Sequence, residues 1–180
     1  LVLQTIRYLA QNAENVTIQT PYVICNGYMY DTLNEIASHA QLKIILNAVE
    51  KGSNPWGCTD YLNQKKKILE TGADVYELMN DYPVHTKAVL INDRLSVVGS
   101  YNLDMRSTYL DTELMLVIDS EKLSQQIHET ESDYMEKSKE VLANGQETEG
   151  AKYQGKVLNR KKKLYYGVLR IIIRPLRQLL

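Results

Sequence analysis

Phenylalanine is absent from this 180-residue chain, cysteine occurs twice and tryptophan once. The two cysteines, Cys25 and Cys58, form no Cys-x-x-Cys pair and have no histidine cluster around them. That excludes a zinc-ribbon pattern and a disulfide framework, and leaves two free thiols in a reducing compartment as the expectation. No run reaches the roughly 18–20 apolar residues needed to span a bilayer. Neither charge dominates: 21 Lys and Arg stand against 22 Asp and Glu, so global charge gives no argument for a nucleic-acid partner. The chain begins "LVLQTIRYLAQ", with neither an initiator methionine nor a charged-then-apolar leader, and it reads as part of a longer polypeptide.

What is present is an ordinary globular composition, 44% apolar and 24% charged, long enough for one domain with a proper core. Leu3, Ile6, Leu9 and Ala10 share one helical face. "NVTIQTPYVI" (15–24) alternates and is β-branched, so it reads as a strand with Pro21 toward its end. A helix is expected over 26–40, a buried strand over 41–49, a loop over 50–57, a helix over 59–72 closed by Gly72, and a strand over 73–79. Strand and helix alternate, which predicts an α/β fold with a mixed β-sheet flanked by helices. Beyond residue 80 come short apolar strands over 84–91, 95–99 and 111–119. A long amphipathic helix over 120–143 follows, with Ser120 as cap. The expected organisation is a domain over 1–143, a linker over 144–155, and a basic amphipathic tail over 156–180.

The chemistry concentrates in "VHTKAVLINDRLSVVGSYNLDMRS" (84–107). With Asn92-Asp93 as a two-residue turn, Ile91 pairs with Arg94, Lys87 faces Val98 and His85 faces Ser100. Side chains alternate along a strand. His85, Lys87 and Ser100 would then share one face, joined by Asn102, with the opposite face in the core. Such a set can hold an anion, and its histidine can attack or move a proton. The plainer reading is a hydrogen-bonded histidine beside a snorkelling lysine at a sheet end, and spacing alone weighs the two about evenly.

"HTKAVLIND" followed by "GSYN" resembles the signature of the phospholipase D superfamily: His-x-Lys, four residues, Asp, six residues, Gly-Ser-x-Asn. The continuation "NLDMRSTYLDTEL" resembles the bacterial cardiolipin synthase branch, and "QTPYV" is similar to the segment before that family's second motif. One position departs: Asn92 stands where the family has Asp. Its place in the turn, away from His85 and Lys87, makes it a matter of local stability more than chemistry.

The resemblance implies a phosphatidyl transfer through a phosphohistidine, with no cofactor and no metal. It implies His85 as general acid and base with nucleophile as the fallback, Lys87, Ser100 and Asn102 on the phosphate, and Glu113 orienting the histidine. It also implies that this chain is half of a site, completed by an N-terminal half of the same protein or a second copy. The expected substrate is a phospholipid, phosphatidylglycerol first. The expected location is the cytoplasmic face of a bacterial cell membrane, touched through 156–180, where Lys163, Arg170, Arg174 and Arg177 share one helical face. The alternatives are a hydrolytic phospholipase D or other phosphodiesterase, and a degenerate half-domain that only docks on membranes. His39 and His128 are expected on the surface or at a cap, Lys65–Lys67 on a solvated face, and Asp104 and Arg106 in a structural ion pair, with contact to a lipid headgroup as the alternative.

Overall fold

The computed structural model describes residues 1–180. In chain order the elements are α1 (Val2–Leu9), β1 (Asn15–Gln19), β2 (Val23–Ile24), α2 (Gly27–Ala37), β3 (Gln41–Asn47), α3 (Pro55–Leu69), β4 (Asp74–Leu78), β5 (Ala88–Ile91), β6 (Leu95–Gly99), β7 (Leu103–Asp104), α4 (Met105–Tyr109), β8 (Met115–Asp119), α5 (Glu121–Glu136), β9 (Ser138–Val141), β10 (Glu147–Glu149) and α6 (Arg160–Leu176). A 3-10 turn, Arg177–Leu179, ends the chain. Eight strands form one mixed sheet in the order β10-β9-β4-β3-β1-β5-β6-β8. β1, β3 and β4 run parallel, and the strands added on either side are antiparallel. The expected class, a mixed sheet flanked by helices, is the fold found.

One face of the sheet makes the main core. Val16, Ile18, Leu42, Ile44 and Val75 meet Leu3 and Ile6 of α1, Met29 and Leu33 of α2, and Tyr61 and Ile68 of α3. Each such aliphatic side chain contributes about 1.5–3 kcal/mol when fully buried. The other face carries a smaller cluster, Ile45, Tyr76, Leu78 and Val84, against Tyr134 and Met135 of α5. Ser124 of α5 meets Ser96 of β6 by a buried hydroxyl pair at 3.0 Å.

Local boundaries differ from expectation where caps and turns decide them. The strand expected over 15–24 breaks at Thr20-Pro21, because Pro21 has no N–H to donate to a ladder. The loop expected over 50–57 already contains the first turn of α3. Asn54 accepts from the Trp56 and Gly57 amides at 3.1 and 3.2 Å, and Pro55 occupies the first turn, where its fixed φ is favourable and its missing N–H costs nothing. Gly57 is needed there, since a Cβ would lie 2.7 Å from the Tyr22 ring. The helix expected through residue 143 stops at Glu136, and Ser138–Val141 pairs with β4 instead. Residues 144–155 are not a free linker. Gly145, at φ +84°, closes a turn from β9 into β10 at the sheet edge.

The tail is likewise not separate from the domain. Tyr166, Leu169 and Ile173 of α6 are buried, with Tyr166 and Leu169 in the main core. Arg177 donates to both oxygens of Asp60 at 2.8 and 2.9 Å, with the Asp60 side chain 1% exposed. Arg177 therefore faces the domain, and Arg170, though exposed, bonds Asn63 at its surface, while Lys163, Arg170 and Arg174 of the expected basic face all stay in solvent. No helix is long and apolar enough to cross a membrane.

Candidate active site

The site lies where β1, β3 and β4 end and β5 begins, the carboxyl end of the parallel strands, where α/β sheets commonly bind ligands. The β5–β6 hairpin carries it. Its loop has three residues, not two: Ile91 pairs with Leu95, Leu90 with Ser96 and Ala88 with Val98. The reason is Asn92, which takes φ +51°, a left-handed conformation that Asn tolerates better than most residues. Its Oδ1 accepts from the Glu14 and Asn15 amides at 3.0 and 3.1 Å and ties the turn to the start of β1. Asp offers the same acceptor, so the departure at position 92 preserves these contacts, and the residue stands away from the site.

The three-residue loop moves the register by one. Lys87 lies beside Gly99, whose amide donates to the Lys87 carbonyl at 3.2 Å, rather than opposite Val98. The facing of His85 and Ser100 inferred from a two-residue turn is therefore not formed. Ser100 turns to the β8 side: its hydroxyl donates to Glu113 Oε2 and accepts from the Leu114 amide at 3.0 Å. Glu113 and Asp104 lie close enough to Lys87 to favour its charged form against desolvation, which lowers its pKa. No hydrogen bond joins Glu113 to His85; in this arrangement the carboxylate engages Ser100. Gly99 stands between Lys87 and β8, and a Cβ there would lie 2.0 Å from the Leu114 carbonyl oxygen. Only glycine permits the approach.

His85 and Lys87 form the closest pair. Lys87 Nζ donates to the His85 carbonyl at 2.7 Å and lies 2.5 Å from Nδ1. An ammonium donor at Nδ1 requires a neutral imidazole with its proton on Nε2. Burial first, and the Lys87 charge second, lower the His85 pKa below its ordinary value. A bound phosphodiester would oppose both effects, so the imidazole charges more readily with an anion in place.

Asn102 follows β6. Its Nδ2 is 3.3 Å from Ser107 Oγ, while its buried Oδ1 has no partner. Exchanging the two ends of the amide lets Ser107 donate to Oδ1 and frees Nδ2 as a donor for an anion, an orientation a phosphate oxygen would select. Ser107 is held by α4, which Asp104 caps by accepting from the Ser107 amide at 2.6 Å. The ion pair expected between Asp104 and Arg106 is not made, since Arg106 pairs with Asp111 at 3.0 Å.

Gln19 has no signal in the sequence. It ends β1 opposite Ala88, is 4% exposed, and its Nε2 has no partner. A buried donor left free one residue from Lys87 is a further candidate for the site. The other histidines stand elsewhere. His39 Nε2 meets the Ala10 carbonyl at 3.0 Å. His128 lines a cavity of about 220 Å³ beneath α5. Lys65, expected in solvent, pairs with Glu77 at 2.8 Å and Glu147 at 3.3 Å.

Comparison with known proteins fits this geometry. Residues 5–133 match the family described as "Cardiolipin synthase, PLD-like domain". Cardiolipin synthase A of Proteus mirabilis is 29% identical over 152 residues, covering 82% of this chain and 29% of the relative. The protein of the same name from Cronobacter sakazakii is 30% identical over 131 residues, covering 70% of this chain and 26% of its own. The chain thus spans less than a third of these relatives. Two solved structures share the fold. Nuc from Salmonella typhimurium, a phospholipase D family member, matches with TM-score 0.63 at 16% identity, over 76% of this chain and 88% of that one. Phosphatidylserine synthase of Haemophilus influenzae matches with TM-score 0.67 at 16% identity, over 99% of this chain and 45% of that one. With the His85–Lys87 pair, Gly99 and Asn102 at one sheet end, and a family match over most of its length, the chain belongs to the cardiolipin synthase branch of the phospholipase D-like domains.

Proposed function

We propose that this chain supplies one half of a phosphatidyltransferase site of the cardiolipin synthase type. The observation that carries the reading is the His85–Lys87 contact beside Gly99 and Asn102 in a chain of this family. A histidine attacks phosphorus, a phosphorus–nitrogen bond forms, and the bond to the leaving alcohol breaks. A second histidine protonates the departing oxygen, then takes the proton of the incoming hydroxyl as that oxygen attacks phosphorus and frees the first histidine. His85 serves as this acid and base, with the nucleophile's part as the alternative. Lys87, Ser100 and Asn102 hold the phosphoryl oxygens as negative charge develops. Glu113 positions Ser100 and biases Lys87.

One histidine cannot perform both parts. The complement comes from an N-terminal half of the same protein or from a second copy. The outer edge of β8 supports this, since it is unpaired and leaves Leu114 and Leu116 74% and 57% exposed next to Glu113. An apolar open edge of this kind calls for a covering partner. The substrate is a phospholipid, phosphatidylglycerol first, met at the cytoplasmic membrane surface.

The test compares the chain and its His85→Ala variant, each together with a segment carrying a second His-x-Lys motif, on phosphatidylglycerol vesicles containing EDTA. Cardiolipin and glycerol, lost with His85→Ala, are the expected products. Phosphatidic acid would reassign the site to hydrolysis. No His85-dependent product would overturn the reading in favour of a half-domain without chemistry.

A further inference from the structure

α6 is apolar on two opposite sides. Tyr166, Leu169 and Ile173 face α3 and are buried. On the outward side Leu164, Val168, Ile171, Ile172 and, past the helix end, Leu179 recur at i, i+4, i+7, i+8 and i+15, one continuous stripe. Leu164 and Ile171 are 71% and 70% exposed, and Tyr165 at its margin is 51% exposed. A ridge of this length is not an ordinary solvated surface.

Charge says what covers it. The last thirty residues hold nine of the 21 Lys and Arg and no Asp or Glu; the first 150 hold the other 12 against all 22 acidic residues. Arg160, Lys161, Lys162, Lys163 and Arg174 remain exposed around the ridge. A negatively charged plane therefore attracts this end of the molecule and repels the remainder. Aliphatic side chains ringed by cations are what an anionic lipid surface accepts.

The helix is also fixed to the domain. Arg170 Nε donates to Asn63 at 2.8 Å, Arg177 clamps Asp60, and the Arg106 amide donates to the Leu180 carbonyl at 2.9 Å, four residues beyond Asn102. We infer that the outward ridge of α6 is a rigid docking surface for an anionic phospholipid bilayer, holding the domain at the membrane in one orientation. This inference does not depend on the reaction proposed above.

The test uses the 180-residue chain and sedimentation with phosphatidylcholine vesicles, with or without phosphatidylserine. The Leu164→Ser/Ile171→Ser variant is expected to lose at least about tenfold in partitioning to the anionic vesicles. Lys161→Glu/Lys163→Glu is expected to lose about as much there and little on phosphatidylcholine alone. All four positions are exposed, so thermal melting monitors that the fold is kept. Wild-type binding by the serine variant would overturn the inference. So would a ridge substitution that only separates a dimer of the chain, which would assign the ridge to protein contact. His85→Ala keeps vesicle binding, so failure of the catalytic reading and failure of this one are distinguishable.

Discussion

Glu131 allows the most direct test of the packing. It sits on the inner face of α5, is 0% exposed, and neither carboxylate oxygen has a hydrogen-bond partner. Burial pushes its pKa from 4.5 up to about 8, with Lys43 the only nearby cation pulling it back. The unfolded chain ionises this group near its ordinary value, while the folded chain keeps the proton. Stability from this residue is therefore complete below the ordinary value and falls as pH rises toward the folded value. The accumulated loss is about 3 kcal/mol at pH 7 and about 4 kcal/mol at pH 8. Glu131→Gln keeps the shape and removes the titration. Its melting temperature should match the wild type near pH 4.5 and exceed it increasingly above, by about 6–12 °C at pH 7 for a domain of this size. Calorimetry or circular dichroism from pH 4.5 to 8 reads the difference. A difference that stays constant across this range would refute the reasoning, because it would mean Glu131 ionises normally in the fold.

Four further outcomes are expected. Arg177→Ala leaves Asp60 buried without its cation and should cost about 3–5 kcal/mol in urea unfolding, while Asp60→Asn combined with Arg177→Leu should recover much of it; equal losses in both would refute the clamp. Gly99→Ala should cost about 1–3 kcal/mol by forcing β8 away from β6, seen as a lower melting temperature. Asn92→Asp should be neutral within about 0.5 kcal/mol, whereas Asn92→Val should destabilise by about 1–2 kcal/mol through its positive φ. The His85 ring proton followed by NMR should titrate below 6.5 in the free chain and shift upward when inorganic phosphate is added, a shift that Lys87→Met should alter.

The residues of the candidate site were legible because their spacing is rigid. His85 and Lys87 two apart, and Ser100 and Asn102 two apart across one hairpin, mark a polar set inside an apolar segment. The alternation of strands and helices up to Met79 was legible for the same reason: period and punctuation are local. The misplaced boundaries were also local in origin but faint. Asn54-Pro55 is a cap as well as a turn signal, and Asn144-Gly145 closes a hairpin as readily as it starts a linker.

What the sequence by itself determined is the family and the mixed α/β class, together with which polar residues to propose for the site, since these rest on residue identity and on periods of two and 3.6. The tertiary structure decided the rest. One dihedral at Asn92 set the hairpin register, and so gave Ser100 to Glu113 instead of His85. The Arg177–Asp60 pair, 117 residues apart, turned an expected free tail into a packed helix with its second apolar side outward. Glu131 became a buried acid only because α5 crosses the sheet. Such contacts join positions remote in the chain, and no local pattern of residues encodes which remote partner will be met.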